Sequence, residues 1–282
     1  GLPDPVTNTY NVLPDEFADT CKEMVKYGAK VLGGCCGTTP AYVAKLKEMV
    51  ATVNASVVKK KPRQLAVCTP LKTVVVDQPR IVGERINPTG KKRFKQALRD
   101  NDMNYILSQA IEQIDAGADI LDVNVGSPDI DEKEMMVKVI KALQAIVDVP
   151  LQIDSTKPEV LEAALRVYNG KPIVNSVNGE EEVLDTILPI VAKYGGAVIG
   201  LALDENGIPP TAEGRVEIAK RIRDKAMSYG IPKEDIIIDC LTLTVSAEQK
   251  AAAETLKAMN IVKNELGLRT VLGVSNISFG LP

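Results

Sequence analysis

From Gly83 onward the sequence alternates between short apolar runs and amphipathic stretches, with a period of about 30 residues. The apolar runs are 81–86, 119–125, 150–154, 172–175, 197–203, 235–239 and 270–275. Apolar residues at helical spacing follow these runs, as in Val183, Ile187 and Val191. Because a helical crossover makes consecutive strands parallel, this alternation predicts an α/β fold built on a parallel sheet.

Glycines support the same division into strands and helices. Gly117, Gly195 and Gly230 each follow a helical stretch and precede an apolar run, which is where helices commonly end. An open doubly wound sheet is the alternative to a barrel, and a Gly-x-Gly-x-x-Gly turn after the first strand would favour it. The sequence at 83–87 lacks that turn.

Polar residues stand at the ends of the apolar runs. They are Asn87, Asn124, Asp154, Asn175, Asp204, Asp239 and Asn276. A polar residue at this position can simply cap the next helix. In a (β/α)8 barrel, however, the carboxyl ends of all strands meet at one mouth, where active sites lie. We therefore predict a TIM-type (β/α)8 barrel over 81–282, of which strands 1–7 are present and the C-terminus is incomplete.

The N-terminal residues form a different pattern, with a predicted helix at 15–27, a strand at 29–32 and a helix that begins at Pro40 after a Thr39 cap. One strand and two helices bury too little surface to fold alone. We therefore interpret 1–53 as the last β/α unit of a second barrel. The chain begins with glycine rather than methionine, so we expect a piece of a longer protein.

Residues 54–80 are interpreted as a linker between these two parts. The one basic run, Lys59-Lys60-Lys61-Pro62-Arg63, lies inside it and is read as solvated. With a formal net charge of −3, the chain has no broad cationic field that would hold a nucleic acid. No apolar run approaches the roughly 20 residues needed to cross a bilayer, so no membrane partner is expected.

Composition also limits the chemistry. The chain has no histidine, which excludes Ser-His and Cys-His nucleophilic machinery and histidine metal sites. The five cysteines are odd in number and two are adjacent, which does not suit a disulfide framework and predicts a reducing, cytoplasmic setting. Carboxylates, amides, hydroxyls and thiols remain for any chemistry.

The adjacent cysteines lie in Gly33-Gly34-Cys35-Cys36-Gly37-Thr38-Thr39-Pro40. Flanking glycines allow a tight turn in which both thiolates point at one centre. Thiolates favour zinc, which needs further donors to complete a tetrahedral site. The alternative reading is that both cysteines are small apolar residues of a core, as we expect for Cys21 on the first helix.

This string resembles the end of the homocysteine methyltransferase domain shared by methionine synthases and betaine-homocysteine methyltransferases. The resemblance implies that Cys35 and Cys36 bind zinc together with an earlier cysteine, which would lie upstream of Gly1. It also implies that the zinc activates the thiol of homocysteine by lowering its pKa.

The second part resembles the pterin-binding methyltransferases, which include the folate domain of cobalamin-dependent methionine synthases and the free-standing methyltetrahydrofolate:corrinoid-protein methyltransferases. The matching strings stand in family order over about 200 residues. They are Gly83-Glu84-Arg85-Ile86-Asn87, Leu121-Asp122-Val123-Asn124-Val125-Gly126, Asp154-Ser155-Thr156, Asn175-Ser176, Ile238-Asp239 and Gly273-Val274-Ser275-Asn276-Ile277-Ser278.

The resemblance implies roles for several of the strand-end residues. Asp154, Asn175 and Asp239 match the residues that hold the pterin, and carboxylates and amides suit its alternating donor and acceptor edge. Asn276 matches the asparagine that hydrogen-bonds near N5 of the folate. That contact supports methyl transfer, because an uncharged amine is a poor leaving group unless N5 is protonated or strongly hydrogen-bonded.

Further residues have smaller predicted roles. Asn124 and Asn87 are additional candidate pterin ligands. Asp122 is expected to brace the barrel wall, and Glu84 and Arg85 are expected to form an ion pair within the barrel.

The resemblance thus implies methyl transfer from 5-methyltetrahydrofolate to cob(I)alamin carried by another domain or a corrinoid protein, as part of methionine synthesis from homocysteine. A free-standing methyltransferase is the first alternative, but the Cys35-Cys36 segment and linker precede the folate part. A folate-binding module without turnover is the second. Dihydropteroate synthase shares the pterin pocket but would need cations for its diphosphate leaving group, and 275–278 hold no arginine or lysine.

Overall fold

The computed structural model describes residues 3–54, 62–246, 250–278 and 280. The chain divides into two compact units, an N-terminal unit of residues 1–62 and a barrel unit of residues 63–282. Each unit is described by itself below. Among the helices of the described residues, none combines the length and apolar character that crossing a membrane requires.

The N-terminal unit contains two packed helices, α1 (Pro14–Lys26) and α2 (Pro40–Val50). Their shared core consists of Ala18, Cys21, Leu46 and Met49, which are all buried. Both predicted helices are confirmed, and so is the prediction that Cys21 belongs to a core. The rings of Phe17 and Tyr42 meet edge to face, with their centroids 5.6 Å apart.

Two local predictions for this unit are wrong. The strand predicted at 29–32 does not form, because the described residues of the unit provide no second strand to pair with it, and Val31 is 93% exposed. Thr39 does occupy the position before the first turn of α2, but its side chain accepts no capping hydrogen bond. Pro40 begins the helix as expected.

The barrel unit begins with two short strands, β1 (Ala66–Cys68) and β2 (Thr73–Val75), and is built around one seven-stranded parallel sheet that follows them in the chain. The strands are β3 (Val82–Ile86), β4 (Ile120–Val123), β5 (Leu151–Asp154), β6 (Ile173–Val177), β7 (Ala197–Leu201), β8 (Ile236–Asp239) and β9 (Arg269–Val271). Every pair of neighbours in chain order is also a pair of neighbours in space, so the predicted parallel α/β barrel topology is confirmed. Within the described residues, β3 and β9 are the two edges of this sheet.

Helices alternate with these strands and pack on their outer surface. They are α3 (Lys92–Asp100), α4 (Met103–Asp115), α5 (Glu132–Ile146), α6 (Pro158–Val167), α7 (Glu181–Tyr194), α8 (Ala212–Ser228) and α9 (Ala251–Asn264). Gly117, Gly195 and Gly230 follow α4, α7 and α8 with φ values of 100°, 71° and 86°. This left-handed backbone favours glycine and explains the three predicted helix ends.

Alternate residues of each strand face opposite sides of the sheet, as strand geometry requires. On β5, Leu151 and Ile153 belong to the large apolar core between sheet and helices. Gln152 and Asp154, which alternate with them along the strand, therefore face the inside of the barrel. Ile173 and Asn175 share the inner face of β6 in the same way, because Val174 belongs to the outer core.

A hairpin of β1 (Ala66–Cys68) and β2 (Thr73–Val75) precedes the parallel sheet. It lies in the stretch that the sequence predicted as a linker, so that interpretation is wrong for its second half. Leu65, Val67 and Val74 of the hairpin pack against residues at the amino ends of the inner strand faces, and this burial explains why the segment folds. Lys59-Lys60-Lys61 of the basic run lie outside the described residues.

Candidate functional site

Polar side chains occupy the carboxyl ends of the inner strand faces. On β4 the inner face runs from Ile120, which packs against the hairpin, to the buried Asp122 and then to Asn124 just beyond the strand. On β8 it runs from Ile237 to the half-buried Asp239. The change from apolar to polar residues along these strands places a polar rim at the mouth of the barrel, as predicted.

Asp154 and Asn175 lie side by side at this rim. They are register partners on the neighbouring strands β5 and β6, and both are half-buried. The Asn124 Nδ2 donates a hydrogen bond to Asp154 Oδ2 at 2.9 Å, while Gly126 N donates to Asn124 Oδ1 at 2.8 Å. Asn124 is therefore held with its amide nitrogen towards the carboxylate of Asp154.

A second contact lies beneath these residues. Asp122 Oδ1 accepts hydrogen bonds from Asn175 Nδ2 at 3.2 Å and from Gln152 Nε2 at 2.6 Å. The amide nitrogen of Asn175 is thus directed to Asp122. Asn124, Asp154, Asp122 and Asn175 form two hydrogen-bonded pairs that span three adjacent strands.

Burial changes the acidity of these carboxyl groups. Burial raises the pKa of Asp122 to about 7, and the nearby charge of Asp154 raises it too, whereas the hydrogen bonds from Gln152 and Asn175 lower it. Burial likewise raises the pKa of Asp154, against the lowering effect of the hydrogen bond from Asn124. Near neutral pH, Asp122 is divided between its protonated and ionised forms.

Asp239 is the carboxylate of this rim on β8. Its register partners are Leu201 on β7 and Val271 on β9. Burial raises its pKa, and a hydrogen bond from Leu241 N to its Oδ1, 2.8 Å long, lowers it. Asn175 and Asp239 both pair with β7, at Ile199 and Leu201, so they stand on either side of that strand with an offset of two residues.

The other predicted residues have separate partners. Asn87 is half-buried and accepts a hydrogen bond from Thr89 N at 2.8 Å. Asp204 accepts from Asn206 N at 3.0 Å and forms an ion pair with Arg221 at 3.2 Å. Neither residue hydrogen-bonds to another predicted rim residue within the described part of the chain.

Asn276 lies in a 3-10 turn at Val274–Ser278, beyond β9, where its side chain is exposed. Its backbone N donates to Gly273 O at 3.2 Å. The predicted last strand at 270–275 is shorter in the structure, because β9 ends at Val271 and the chain turns there.

The ion pair predicted between Glu84 and Arg85 does not form. These residues are adjacent on β3, so their side chains project to opposite faces of the sheet. Glu84 instead pairs with Lys91, whose Nζ lies 3.2 Å from Glu84 Oε2. The backbone N of Arg85 donates to Gln113 Oε1 at 2.7 Å.

Sequence reasoning missed two residues that support the rim. Gln152 is buried two positions before Asp154, on the same inner face, and its Oε1 accepts no hydrogen bond from the described residues. Glu132 at the start of α5 accepts from Ser155 Oγ at 2.6 Å and pairs with Lys157 at 2.9 Å. A polar residue inside an otherwise apolar strand was the available signal for Gln152.

The cysteine pair of the N-terminal unit has a geometry that can be compared with that of a zinc site. Cys35 and Cys36 are exposed, and their Sγ atoms lie 3.7 Å apart. Two thiolates about 2.3 Å from a tetrahedral zinc ion would be about 3.8 Å apart, so the pair fits two of its four donors. Hydrogen bonds from Cys36 lower the pKa of Cys35. The described residues contain no group of three or more acidic or cysteine side chains placed to hold a metal.

A curved parallel sheet with helices outside and carboxylates and amides at the carboxyl rim defines a ligand-binding α/β barrel. Residues 83–282 match the family model described as pterin binding enzyme, and the chain belongs to this family. Residues 1–50 match the model described as homocysteine S-methyltransferase.

The sequence is similar to methionine synthases. It is 34% identical over 291 residues to methionine synthase of Mycobacterium leprae and 34% identical over 286 residues to that of Mycobacterium tuberculosis. Each match covers 96% of this chain and 24% of the relative, so the chain spans about a quarter of the length of these relatives.

The fold is similar to that of dihydropteroate synthases. A Xanthomonas albilineans dihydropteroate synthase structure with 4-aminobenzoic acid has a TM-score of 0.59 at 20% identity, and covers 74% of this chain and 77% of that one. The Thermus thermophilus dihydropteroate synthase has a TM-score of 0.56 at 23% identity, with 76% and 78% covered. At this level of identity the likeness shows the fold alone, a TIM-type α/β barrel.

Proposed function

We propose that this chain binds 5-methyltetrahydrofolate at the carboxyl rim of its barrel and serves transfer of the N5 methyl group to cob(I)alamin, as the folate step of methionine synthesis from homocysteine. The observation that carries the proposal is that similarity to methionine synthases runs through both units, over 96% of the chain. The cobalamin belongs to another domain or protein, and a cytoplasmic setting is part of the proposal.

The pterin ring is the part of the substrate that the rim suits best. Its edge alternates donors and acceptors, and Asp154, Asn175 and Asp239 provide carboxylate and amide groups that match it. Asn124 already holds the carboxylate of Asp154, and Asp122 already holds the amide of Asn175. The rim is therefore organised before the substrate binds. Such preorganisation reduces the ordering cost of binding. In this proposal Asn87 is a further pterin contact at the edge of the rim.

Asn276 is the proposed group at N5. The methyl group leaves a tertiary amine, and it leaves readily only when N5 carries a proton or a strong hydrogen bond. An asparagine amide can accept a hydrogen bond from a protonated N5 or donate one to the neutral atom. The exposed position of Asn276 leaves its amide free to meet a bound folate.

The N-terminal unit has a separate proposed role in homocysteine binding. Cys35 and Cys36 would hold zinc, which supplies Lewis-acid activation of a thiol when it is bound. They provide two donors, and the remaining zinc ligands would come from outside the described residues. The folate step does not depend on this pair.

Dihydropteroate synthesis is the second candidate, because the similar structures belong to that enzyme. That reaction expels diphosphate, whose charge calls for cations at the barrel mouth. The residues from 271 to 282 contain neither arginine nor lysine. A methyl donor has no anionic leaving group at that position, so this sequence favours methyl transfer.

The test is a pair of assays on the full chain. Calorimetric titration with 5-methyltetrahydrofolate should show binding, and addition of free cob(I)alamin should then give folate-dependent loss of the cob(I)alamin absorbance. Binding without that loss would support a folate-binding module without turnover. Formation of dihydropteroate from a pterin diphosphate and 4-aminobenzoate would favour the second candidate, and absence of folate binding would contradict the proposal.

The distinction from a free-standing corrinoid-protein methyltransferase needs a second substrate. Homocysteine should bind to a form of the protein that contains the complete zinc site. Cys35→Ser should abolish that binding without changing the affinity for 5-methyltetrahydrofolate. Loss of both activities together would contradict the separation of the two units.

A further inference from the structure

Arg215 is fully buried in the first turn of α8, which is an unusual place for a charged side chain. Its Nε donates to Pro209 O at 2.9 Å. Its Nη1 lies 2.9 Å from Cys240 O, 3.0 Å from Leu241 O and 2.7 Å from Thr255 Oγ1. The planar guanidinium thus contacts the backbone just after β8 and joins it to α8 and α9.

The backbone that Arg215 contacts has an uncommon conformation. Leu241 has a φ of 60°, in the left-handed region that a residue with a branched side chain rarely adopts. The Leu241 carbonyl oxygen faces Arg215 Nη1 and the Thr255 hydroxyl, both at 3.0 Å. These contacts hold the Leu241 backbone in this conformation against its local preference.

The same conformation determines the surroundings of Asp239. It directs Leu241 N to Asp239 Oδ1 at 2.8 Å. This hydrogen bond lowers the pKa of Asp239, whereas burial raises it. Of the groups around Asp239, Leu201 and Val271 carry no charge, and burial raises the pKa of Cys240 to about 12, so its thiol is neutral.

We propose that Arg215 is a positioning residue of the pterin site, which holds the carbonyl oxygen of the Cys240–Leu241 peptide so that the N–H of the same peptide orients the Asp239 carboxylate. The proposal rests on the proposed function, because it takes Asp239 as a pterin ligand. Arg215 itself does not touch the substrate. It acts through Leu241, and Thr255 supports the same contact from α9.

The test compares pterin binding by the wild-type chain and Arg215→Met as a function of pH. Loss of the guanidinium should weaken 5-methyltetrahydrofolate binding about tenfold near neutral pH, the effect expected for losing a hydrogen bond to a charged group. It should also move the acid limb of the binding profile upward by about one pH unit, because Asp239 loses the donor that lowers its pKa. A purely structural role would lower the folded fraction without moving this midpoint.

Three further variants isolate the effect. Thr255→Val should cause a smaller shift in the same direction, whereas Thr255→Ser, which keeps the hydroxyl, should show the wild-type profile. This pair keeps the test valid if Arg215→Met does not fold. Lys257→Ala removes an exposed ion pair with Glu213, 2.6 Å long, between the same two helices, and should leave the profile unchanged. In an Asp239→Asn background, Arg215→Met should add little.

The outcomes separate this inference from the proposed function. If the wild-type chain binds no reduced folate, the proposed function fails. A different result would remove only the positioning role of Arg215. In that case the wild-type chain binds the folate and Asp239→Asn weakens binding, but neither Arg215→Met nor Thr255→Val moves the midpoint of the pH profile. A shift as large in Lys257→Ala as in Arg215→Met would overturn the inference as well.

Discussion

The two ends of the barrel interior differ in chemistry. At the amino end, the hairpin residues Leu65, Val67 and Val74 pack against apolar side chains of β4, β6, β7 and β8. At the carboxyl end, β4, β5 and β8 carry carboxyl groups on the inner face, and burial raises the pKa of Asp122, Asp154 and Asp239. The amino end therefore stabilises the fold, whereas the carboxyl end holds polar groups at a cost in stability, as expected of a binding site.

The largest expected effect is a loss of stability at the amino end. Val67 is 0% exposed, and Val67→Asp would bury a carboxylate without a partner. An unpaired buried charge costs roughly 3–5 kcal/mol, so we expect the melting temperature to fall by about 10 °C or more. Leu71→Asp, in the hairpin turn where the side chain is 87% exposed, is the matched control. Equal melting temperatures for both variants would contradict the role of the hairpin.

The next effect is the opposite, a gain of stability at the carboxyl end. Folding raises the pKa of Asp122 from 3.8 to about 7. Between these two pH values the folded chain holds a proton that the unfolded chain has released. Stability from this group is therefore full below pH 3.8 and is lost as pH rises towards 7. Asp122→Asn should remove that loss.

The advantage of Asp122→Asn over the wild type should grow between pH 4 and 7 and then level off, with a limit of about 4 kcal/mol. Chemical denaturation at pH 5, 6, 7 and 8 measures it. A difference that is constant across this range would show that Asp122 ionises normally in the folded chain.

These two ends were not equally predictable from the sequence. The period of about 30 residues identified the strands, and the Asn and Asp residues at their ends identified the rim. The hairpin was missed because β1 and β2 have three residues each, too few to show alternation between faces. The contacts of Asp122 with Asn175 and Gln152 depend on strand register, which a single sequence does not determine.

Two failures have a similar cause, since each depends on neighbours in space. The apolar run at 29–32 was typical of a strand, but a strand forms only beside another strand. Arg215 carried no signal, because a charged residue in an amphipathic helix is normally solvated. Its burial follows from the position of α8 over the loop after β8.

A smaller effect concerns pterin affinity at the carboxyl end. Asp154→Asn should weaken binding of 5-methyltetrahydrofolate roughly 10- to 150-fold, because a hydrogen bond to a charged group contributes about 1.5–3 kcal/mol. The melting temperature should not fall, since burial already disfavours the carboxylate. Asp204→Asn, in the segment after β7 and outside the two hydrogen-bonded pairs, is the control and should bind normally. Equal losses in both variants would remove the distinction between Asp154 and a carboxylate that lies outside the two hydrogen-bonded pairs.

The smallest expected effect is that of metal removal on the barrel. Cys35 and Cys36 belong to the N-terminal unit, and the folate step is proposed to be independent of them. Treatment with a chelator should leave both the affinity for 5-methyltetrahydrofolate and the melting of the barrel unit unchanged. A chelator-dependent change in folate affinity would show that the two units are coupled.

A crystal structure of the chain with bound 5-methyltetrahydrofolate would show which end of the barrel holds the pterin ring. The amino end offers a competing cavity of about 700 Å³, lined by the hairpin turn and by residues such as Gln144, Tyr168 and Asn169. We expect the pterin ring at the opposite end, within hydrogen-bonding distance of Asp154, Asn175 and Asp239. Density for the pterin in the amino-end cavity, with no ligand in contact with those three side chains, would contradict the proposed site.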